Sequence, residues 1–167
     1  MADQRIEHVI NCSADDFWKT FFTEEYNHAM FLKTLKFENW TQVSFDETDT
    51  EIRRVTDATP KVDDLPGPMK KLAAGGIGYR EEGIFNKKSQ RFEIKIITGS
   101  MPDKISIAGV LFTEPAGDGK CKRVYTTTVK AKVFGIGGMI EKKVISDVVR
   151  SYDSTARFTN KYIADNS

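Results

Sequence analysis

The sequence predicts an α+β fold in which a curved, seven-stranded antiparallel sheet wraps around a long C-terminal helix. Seven stretches with strand-like alternation follow one another, mostly through short polar turns. The segment from Gly135 to Ile163 instead holds apolar residues at three- and four-residue steps and contains no proline. A helix of this kind must bury its apolar face, and the sheet is the surface that the rest of the chain offers. We therefore expect a space between helix and sheet, where a function would lie.

The predicted strands are joined mainly as hairpins. Two short helices interrupt them after the first strand: one begins at the N-cap Ser13 and carries an aromatic stripe to Phe22, and the other runs from Glu24 to Phe31. Short connections favour an antiparallel meander over a parallel sheet. The strands are predicted at Gln4–Asn11, Leu35–Phe45, Thr50–Thr59, Tyr79–Asn86, Gln90–Thr98, Lys104–Thr113 and Cys121–Phe134.

Length and composition are those of one globular domain, residues 1–167, with 40% hydrophobic and 29% charged residues. The formal net charge of +1 argues against general nucleic-acid binding. No apolar run approaches the roughly 18 residues of a membrane span. The N-terminal residues alternate like a strand and do not resemble a secretory signal. We expect a cytoplasmic protein.

The connection between the third and fourth strands, from Pro60 to Gly78, is much longer than a hairpin turn. Pro68 is a favoured first residue for a short helix that would reach Leu72. Long connections in compact domains are usually functional or disordered. The apolar residues Leu65, Met69 and Leu72 favour a packed lid.

Two segments carry a resemblance to a known superfamily: LPGPMKKLAAGG between strands three and four, and VKAKVFGIGGMIEKKV at the last strand-to-helix junction. Together with the element order, they resemble the START-like superfamily, also called SRPBCC, and most closely a bacterial START-like group of unknown function. The resemblance spans nearly the whole chain. It implies the helix-grip fold, with a hydrophobic cavity between helix and sheet. It implies no single chemistry, because this fold hosts enzymes, hormone receptors and lipid carriers.

The favoured hypothesis is a carrier or sensor that binds a lipid or another elongated hydrophobic molecule in this cavity. The alternatives are a cyclase or dehydratase acting on a hydrophobic substrate there, and a protein-interaction module like the Hsp90 co-chaperone activators that share the fold. Strand alternation and helical spacing predict the wall residues Phe92, Ile94, Ile96, Ile105, Ile107, Tyr125, Val144, Val148, Tyr152 and Thr155. The apolar connections add Leu65, Met69, Leu72 and Met101 to the predicted ligand-binding residues.

One acidic residue of the pair Glu81-Glu82 must point into the concave face, because side chains alternate along a strand. A buried carboxylate there could act as a general acid or base. Pairing with Arg53 or Arg54 on the adjacent strand is the favoured interpretation. His8 is also expected to face inward, with no orienting partner apparent from the sequence.

No serine nucleophile elbow and no HExxH metal motif occur in the sequence. Cys12 and Cys121 are expected to be reduced neighbours, because the first strand should pair with the seventh. We therefore assign no catalytic residue, no metal and no cofactor.

Two features of the last helix have alternative interpretations. The GIGG turn before it is favoured as a tight turn, and contact with an anionic lipid headgroup is the alternative. Ser151, Thr155 and Thr159 recur at four-residue steps. Their hydroxyls either bond back to the helix's own carbonyls or meet something other than dry core.

The connections after strands three, five and seven should share one end of the molecule, and each is apolar for a loop. Clustered apolar loops predict a mouth that opens against a membrane, ringed by Lys70, Lys71, Lys104, Lys142 and Lys143. The alternative is that these loops pack on one another and seal the core. The predicted membrane contacts are Met69, Met101, Ile136, Met139, Lys142 and Lys143.

Overall fold

The computed structural model describes residues 1–61, 65–73 and 76–167. Seven strands form one sheet with the neighbour order β1-β7-β6-β5-β4-β3-β2, in which every pair is antiparallel. The predicted α+β fold is confirmed. The strands are β1 Ala2–Ile10, β2 Asn39–Glu47, β3 Glu51–Thr59, β4 Tyr79–Asn86, β5 Arg91–Thr98, β6 Ile105–Pro115 and β7 Cys121–Ala131. The helices are α1 Ala14–Phe21, α2 Glu24–His28, α3 Gly67–Leu72 and α4 Gly137–Asp165, with a π-helical segment at Ala29–Thr34.

Helices α1 and α2 cover one end of the concave face of the sheet. The Ser13 and Thr23 hydroxyls cap them by accepting backbone N–H groups. Phe17, Trp18 and Phe21 of α1 are buried, and the Trp18 ring contacts the rings of Phe17 and Phe21 edge to face. These rings continue onto the sheet and close that end of the molecule.

The chain enters β2 later than predicted, because residues assigned to the start of that strand belong to a turn. The π-helical segment ends at Thr34, and the amide of Leu35 still donates to the carbonyl of Met30. Lys36 then has a φ of 60°, a left-handed conformation that a strand cannot contain. The prediction of a strand from Leu35 was wrong for this reason.

Strand β7 ends before the predicted Phe134, because a tight turn leads into α4. Gly135 has a φ of 80°, which favours glycine. A Cβ on Gly137 would lie 2.4 Å from the carbonyl oxygen of Ala131, so the helix can begin this close to the strand only with glycine there. These contacts support the tight-turn interpretation of the GIGG segment.

Helix α4 lies across the concave face and contacts β1, β7 and the π-helical segment. Ile140, Ala156 and Thr159 are buried on its inner side. Among the described residues, no helix is long and apolar enough to cross a membrane. Because α4 lies nearest β1 and β7, a space remains between its middle turns and the strands from β3 to β6.

Cys12 and Cys121 are neighbours, as predicted. Ile10 pairs with Cys121 across β1 and β7, which brings the residues after β1 next to the start of β7. Both thiols are buried and free, and they are close enough to form a hydrogen bond with each other. Burial raises the pKa of the Cys121 thiol to about 12.

Candidate functional site

A partly enclosed cavity of about 590 Å³ lies between the concave face of the sheet and α4. Pockets that hold small molecules in proteins typically measure about 300–1,000 Å³. The inner end is closed by buried side chains of α1 and α2, including Phe21, Tyr26 and Asn27. The outer end is formed by residues that are partly or fully exposed, among them Leu35, Lys61, Ile77, Thr98 and Arg150. The expected space between helix and sheet is therefore present.

The structure places part of the predicted ligand-binding set in the cavity wall. These side chains come from three neighbouring strands and from one face of α4, as their spacing predicted. The members that line the cavity are Ile94, Ile96, Ile107, Tyr125, Val144, Val148, Tyr152 and Thr155.

The other predicted wall residues lie elsewhere or are not described. Phe92 is completely buried in the aromatic core, where its ring lies over Gly83, and the α1 aromatic residues separate it from the cavity. The side chain of Leu72 lies outside the described residues. Four half-buried residues are not part of the cavity wall, because they sit in the connections at the end of the sheet or next to them: Leu65, Met69, Met101 and Ile105.

Three tyrosines give the cavity an aromatic interior. The rings of Tyr125 on β7 and Tyr152 on α4 stack with centroids 4.7 Å apart and planes 5° apart. Tyr79 on β4 lines the same space. Burial raises the pKa of Tyr125 to about 12 and also raises the pKa values of Tyr79 and Tyr152 well above the usual value of a phenol. All three phenols are therefore neutral hydrogen-bonding groups at physiological pH.

Arg54 and Glu81 form an ion pair in the cavity wall. Nη2 of Arg54 donates to Oε1 of Glu81 at 3.1 Å, which is the pairing favoured from the sequence. Glu81 faces the cavity and Glu82 is exposed on the outer face, as alternation requires. The Arg54 side chain is only 3% exposed. Its Nε and Nη1 have no hydrogen-bond partner within the described part of the chain.

Arg123 on β7 connects the sheet to α4 inside the cavity wall. Its Nη2 donates to the carbonyl oxygen of Tyr152 at 2.8 Å, and its Nη1 donates to Oγ1 of Thr155 at 3.2 Å. Its guanidinium lies 4.8 Å from the centroid of the Tyr152 ring. Among the described residues, no carboxylate forms an ion pair with Arg123. Burial lowers the pKa of Arg123.

His8 faces inward, as expected, but it has a partner that the sequence did not indicate. Its Nε2 lies 2.7 Å from Oδ1 of Asp153, and its Nδ1 lies 3.4 Å from Nη2 of Arg123. Because the guanidinium can only donate, Nδ1 is the acceptor and Nε2 carries the proton. The sequence could not name this partner, because Asp153 comes from α4, far away in the sequence.

The hydroxyl groups of α4 fit both interpretations made from their spacing. Oγ1 of Thr159 donates to the carbonyl of Thr155 at 2.6 Å and also contacts the Tyr26 hydroxyl at 2.6 Å. Thr155 contacts Arg123, and Ser151 lines the cavity. Thr155 and Thr159 therefore bond back to the helix, while Ser151 and Thr155 line the cavity.

Sequence reasoning missed Arg123, Tyr26, Asn27 and Tyr79 as wall residues. A usable signal existed for Arg123, which lies between Cys121 and Tyr125 at the same strand parity and so had to face inward. A comparable signal for Asn27, on a short helix, was absent. Its Oδ1 is buried without a partner, while its Nδ2 donates to the carbonyls of Phe21 and Thr23.

A second concavity, of about 1080 Å³, follows the outer face of the sheet. It is a broad groove open to solvent, and exposed charges of both signs line it, including Arg5, Arg53, Glu82 and Glu93. A groove of this kind leaves most of a small ligand in water. The partly enclosed cavity is therefore the candidate site.

Solved structures with the same fold support this description of the architecture. A protein from Thermus thermophilus is similar with a TM-score of 0.69, 15% identity, and 99% coverage of each chain. The aromatase/cyclase ZhuI from Streptomyces sp. R1128 has a TM-score of 0.65 at 9% identity, over 96% of this chain and 93% of that one. Norcoclaurine synthase from Thalictrum flavum, in complex with dopamine and hydroxybenzaldehyde, has a TM-score of 0.64 at 17% identity, over 99% of this chain and 89% of that one. At these identities the likeness shows the helix-grip fold alone.

The sequence itself places the chain in a family. No curated protein sequence matches it. The sequence profile of one family matches residues 5–163, which is nearly the whole chain. The chain therefore belongs to the family described as protein of unknown function DUF2505.

Proposed function

We propose that this protein binds an elongated hydrophobic small molecule in the cavity between the sheet and α4. The observation that carries the proposal is the partly enclosed volume of about 590 Å³ in a wall of isoleucine, valine and tyrosine side chains. Burial of a ligand's apolar surface there would contribute about 25 cal/mol per Å². The polar groups Arg54, Glu81 and Arg123 would orient the ligand. Carriage or sensing of a lipid is the form of this function that we favour.

Native mass spectrometry of the purified protein, followed by solvent extraction, tests the proposal directly. We expect a retained small molecule, or saturable binding of the neutral dye N-phenylnaphthylamine, whose fluorescence rises in apolar sites. A protein that carries no ligand and also fails to bind the dye would contradict the proposal.

Two matched substitutions on α4 localise the binding. Ser151 lines the cavity, whereas Ser146 is exposed on the same helix. Ser151→Trp should fill the space and weaken dye binding about tenfold or more. Ser146→Trp adds the same ring outside and should leave binding unchanged. Equal dye binding by the two variants would place the site elsewhere.

A second candidate function is an enzyme of the cyclase or dehydratase type. The observation that favours it is the presence of Glu81, Tyr79 and Tyr125 in one apolar cavity, where a carboxylate and two phenols could exchange protons with a substrate. The Arg54 ion pair counts against Glu81 as a free acid or base. Turnover of an aromatic polyketide by the wild type, lost in Glu81→Gln, would favour this candidate over a carrier.

The ligand would enter at the outer end of the cavity, where it meets the apolar connections of the sheet. Three residues of the cavity wall mark this end. Lys61 follows β3, Ile77 precedes β4, and Thr98 is the last residue of β5. The connections at this end contact one another: the amide of Gly99 donates to the carbonyl of Gly78, and the amide of Lys132 donates to that of Lys104. We propose that this end exchanges ligand with a lipid surface.

A further inference from the structure

The inner end of the cavity contains more positive than negative charge. Two guanidinium groups, Arg54 and Arg123, line it, and Glu81 is the carboxylate that faces them. At the exposed rim, Asp147 is already occupied by other partners, since it accepts from Lys143 at 2.9 Å and from Arg150 at 2.7 Å. Glu81 balances one of the two guanidinium charges of the lining, and Asp153, which is bonded to His8 beside Arg123, offsets only part of the other. An uncompensated buried charge is costly in a folded protein.

Arg54 is the group with free donors. Its side chain is 97% buried (3% exposed), and Glu81 occupies Nη2, which leaves Nε and Nη1 without partners. Three phenylalanine rings surround its guanidinium, with centroids 4.9, 5.4 and 5.3 Å away, from Phe21, Phe22 and Phe92. The ring faces stabilise the positive charge, but they offer no acceptor atom to the N–H groups that point outward in the plane of the guanidinium. The donors of Arg54 therefore remain free for a ligand.

Arg123 differs from Arg54 in that two of its nitrogens are occupied by groups on α4. Thr155 and the Tyr152 carbonyl hold it in place, and only its Nε lacks a partner. Arg123 therefore contributes a positive electrostatic potential in the cavity, while Arg54 supplies the hydrogen bonds to a ligand. A planar carboxylate is the group that the fork of a guanidinium fits best.

From this geometry we infer that the ligand is a hydrophobic carboxylate, with its anionic head at Arg54 in the inner end and its apolar body toward the outer end. The outer part of the cavity fits such a body, because Ile77, Ile96, Ile107 and Val144 line it. This inference rests on the proposed binding function and names the chemical class of its ligand.

A displacement assay separates the inference from the function on which it rests. N-phenylnaphthylamine is bound first and then displaced by dodecanoate, dodecanol or dodecyltrimethylammonium, all below the concentrations at which they form micelles. We expect dodecanoate to displace the dye at about tenfold or more lower concentration than the other two. Equal displacement by all three would overturn the carboxylate inference and leave hydrophobic binding standing. Failure of the dye to bind would contradict the binding function itself.

Two substitutions in the ion pair should have opposite effects. Arg54→Met removes the free donors, and dodecanoate affinity should fall about tenfold or more while dodecanol affinity is kept. Glu81→Gln removes the competing carboxylate, and dodecanoate affinity should rise. Arg53→Met, at an exposed position one residue earlier in β3, is the matched control and should change neither.

Thermal unfolding of each variant is measured alongside binding. If Arg54→Met fails to fold, the Glu81→Gln variant still decides the inference, because only a carboxylate ligand gains from the loss of Glu81. Unchanged or weaker dodecanoate binding by folded Glu81→Gln would overturn it.

Discussion

The rings of Tyr125 and Tyr152 are stacked, with centroids 4.7 Å apart, and so join the middle of β7 to the middle of α4. This contact spans the cavity, since both residues belong to its wall. Gly109 on the neighbouring strand makes room for it: a Cβ there would lie 2.7 Å from the Tyr125 hydroxyl and 2.6 Å from the Thr126 carbonyl oxygen. The stack therefore depends on the absence of a side chain at position 109.

Gly109→Ala should disturb this contact. The new methyl group meets a backbone oxygen as well as the phenol, so relaxation of one side chain cannot relieve the clash. We expect a loss of about 1–3 kcal/mol in the free energy of unfolding, measured by urea denaturation, together with weaker dye binding. Gly138→Ala is the control, because a Cβ at that helical position meets nothing within 4 Å. Equal effects of the two substitutions would contradict the packing argument.

The buried tyrosines predict a loss of stability in alkali. Burial raises the pKa of Tyr125 from 10.0 to about 12, so the unfolded chain releases this proton at lower pH than the folded chain. Because the unfolded state then binds fewer protons, the free energy of unfolding falls as pH rises from about 10 to about 12, and the contribution is complete below pH 10. One phenol shifted this far accounts for about 3 kcal/mol.

The test of the alkaline prediction compares the wild type with Tyr125→Phe. Urea denaturation across this pH range, with tyrosinate absorbance recorded in parallel, should show a shallower fall in stability for the variant. Identical pH slopes would mean that Tyr125 ionises without unfolding of the chain.

The sequence was sufficient to predict which face of each strand is buried, because alternation has a fixed period. Strand β4 was predicted with its observed bounds, and Glu81 was assigned inward from parity alone. Alternation does not tell which part of a buried face a helix covers. Phe92 and Ile94 share one face of β5, yet only Ile94 lines the cavity, because α1 packs over Phe92.

Residues brought together from distant parts of the chain were harder to predict. Asp153 reaches His8 from the other end of the sequence, and the position of α4 on the sheet decides that contact. Arg123 was missed because a charged residue in a strand suggests an exposed position, although its parity indicated otherwise. In both cases the local sequence pattern indicated which way the side chain points, but it did not indicate which residue the side chain contacts.

The two cysteines should be unreactive in the folded protein. Cys12 and Cys121 are buried, and the pKa of Cys121 is raised to about 12 by burial, so at pH 8 only about one part in ten thousand of its thiol is ionised. Ellman's reagent should therefore label the native protein slowly, and both thiols should react promptly in guanidinium chloride. Fewer than two reactive thiols after unfolding would reveal a disulfide and contradict the assignment of free cysteines.

The end of the molecule at which the cavity opens should bind anionic membranes. Met139 is 40% exposed at this end, and Phe134, which the sequence did not single out, has a fully exposed ring. Met69 and Met101 are half-buried in the neighbouring connections. Lysines there would add up to about 1 kcal/mol each near an anionic surface. Lys143 would contribute less than the others, because Asp147 already pairs with it at 2.9 Å.

Liposome flotation at low salt tests this prediction. The variant with Met69→Asp, Met101→Asp and Met139→Asp should lose binding to vesicles that contain phosphatidylserine and keep its fold, since Met139 is exposed and the half-buried Met69 and Met101 lie outside the hydrophobic core. Its control carries Val9→Asp, Val43→Asp and Ile84→Asp, which place the same charges at exposed apolar positions of the sheet. The control should float with vesicles like the wild type. If the wild type itself stays unbound, the apolar connections only seal the core, and the ligand is exchanged without a membrane.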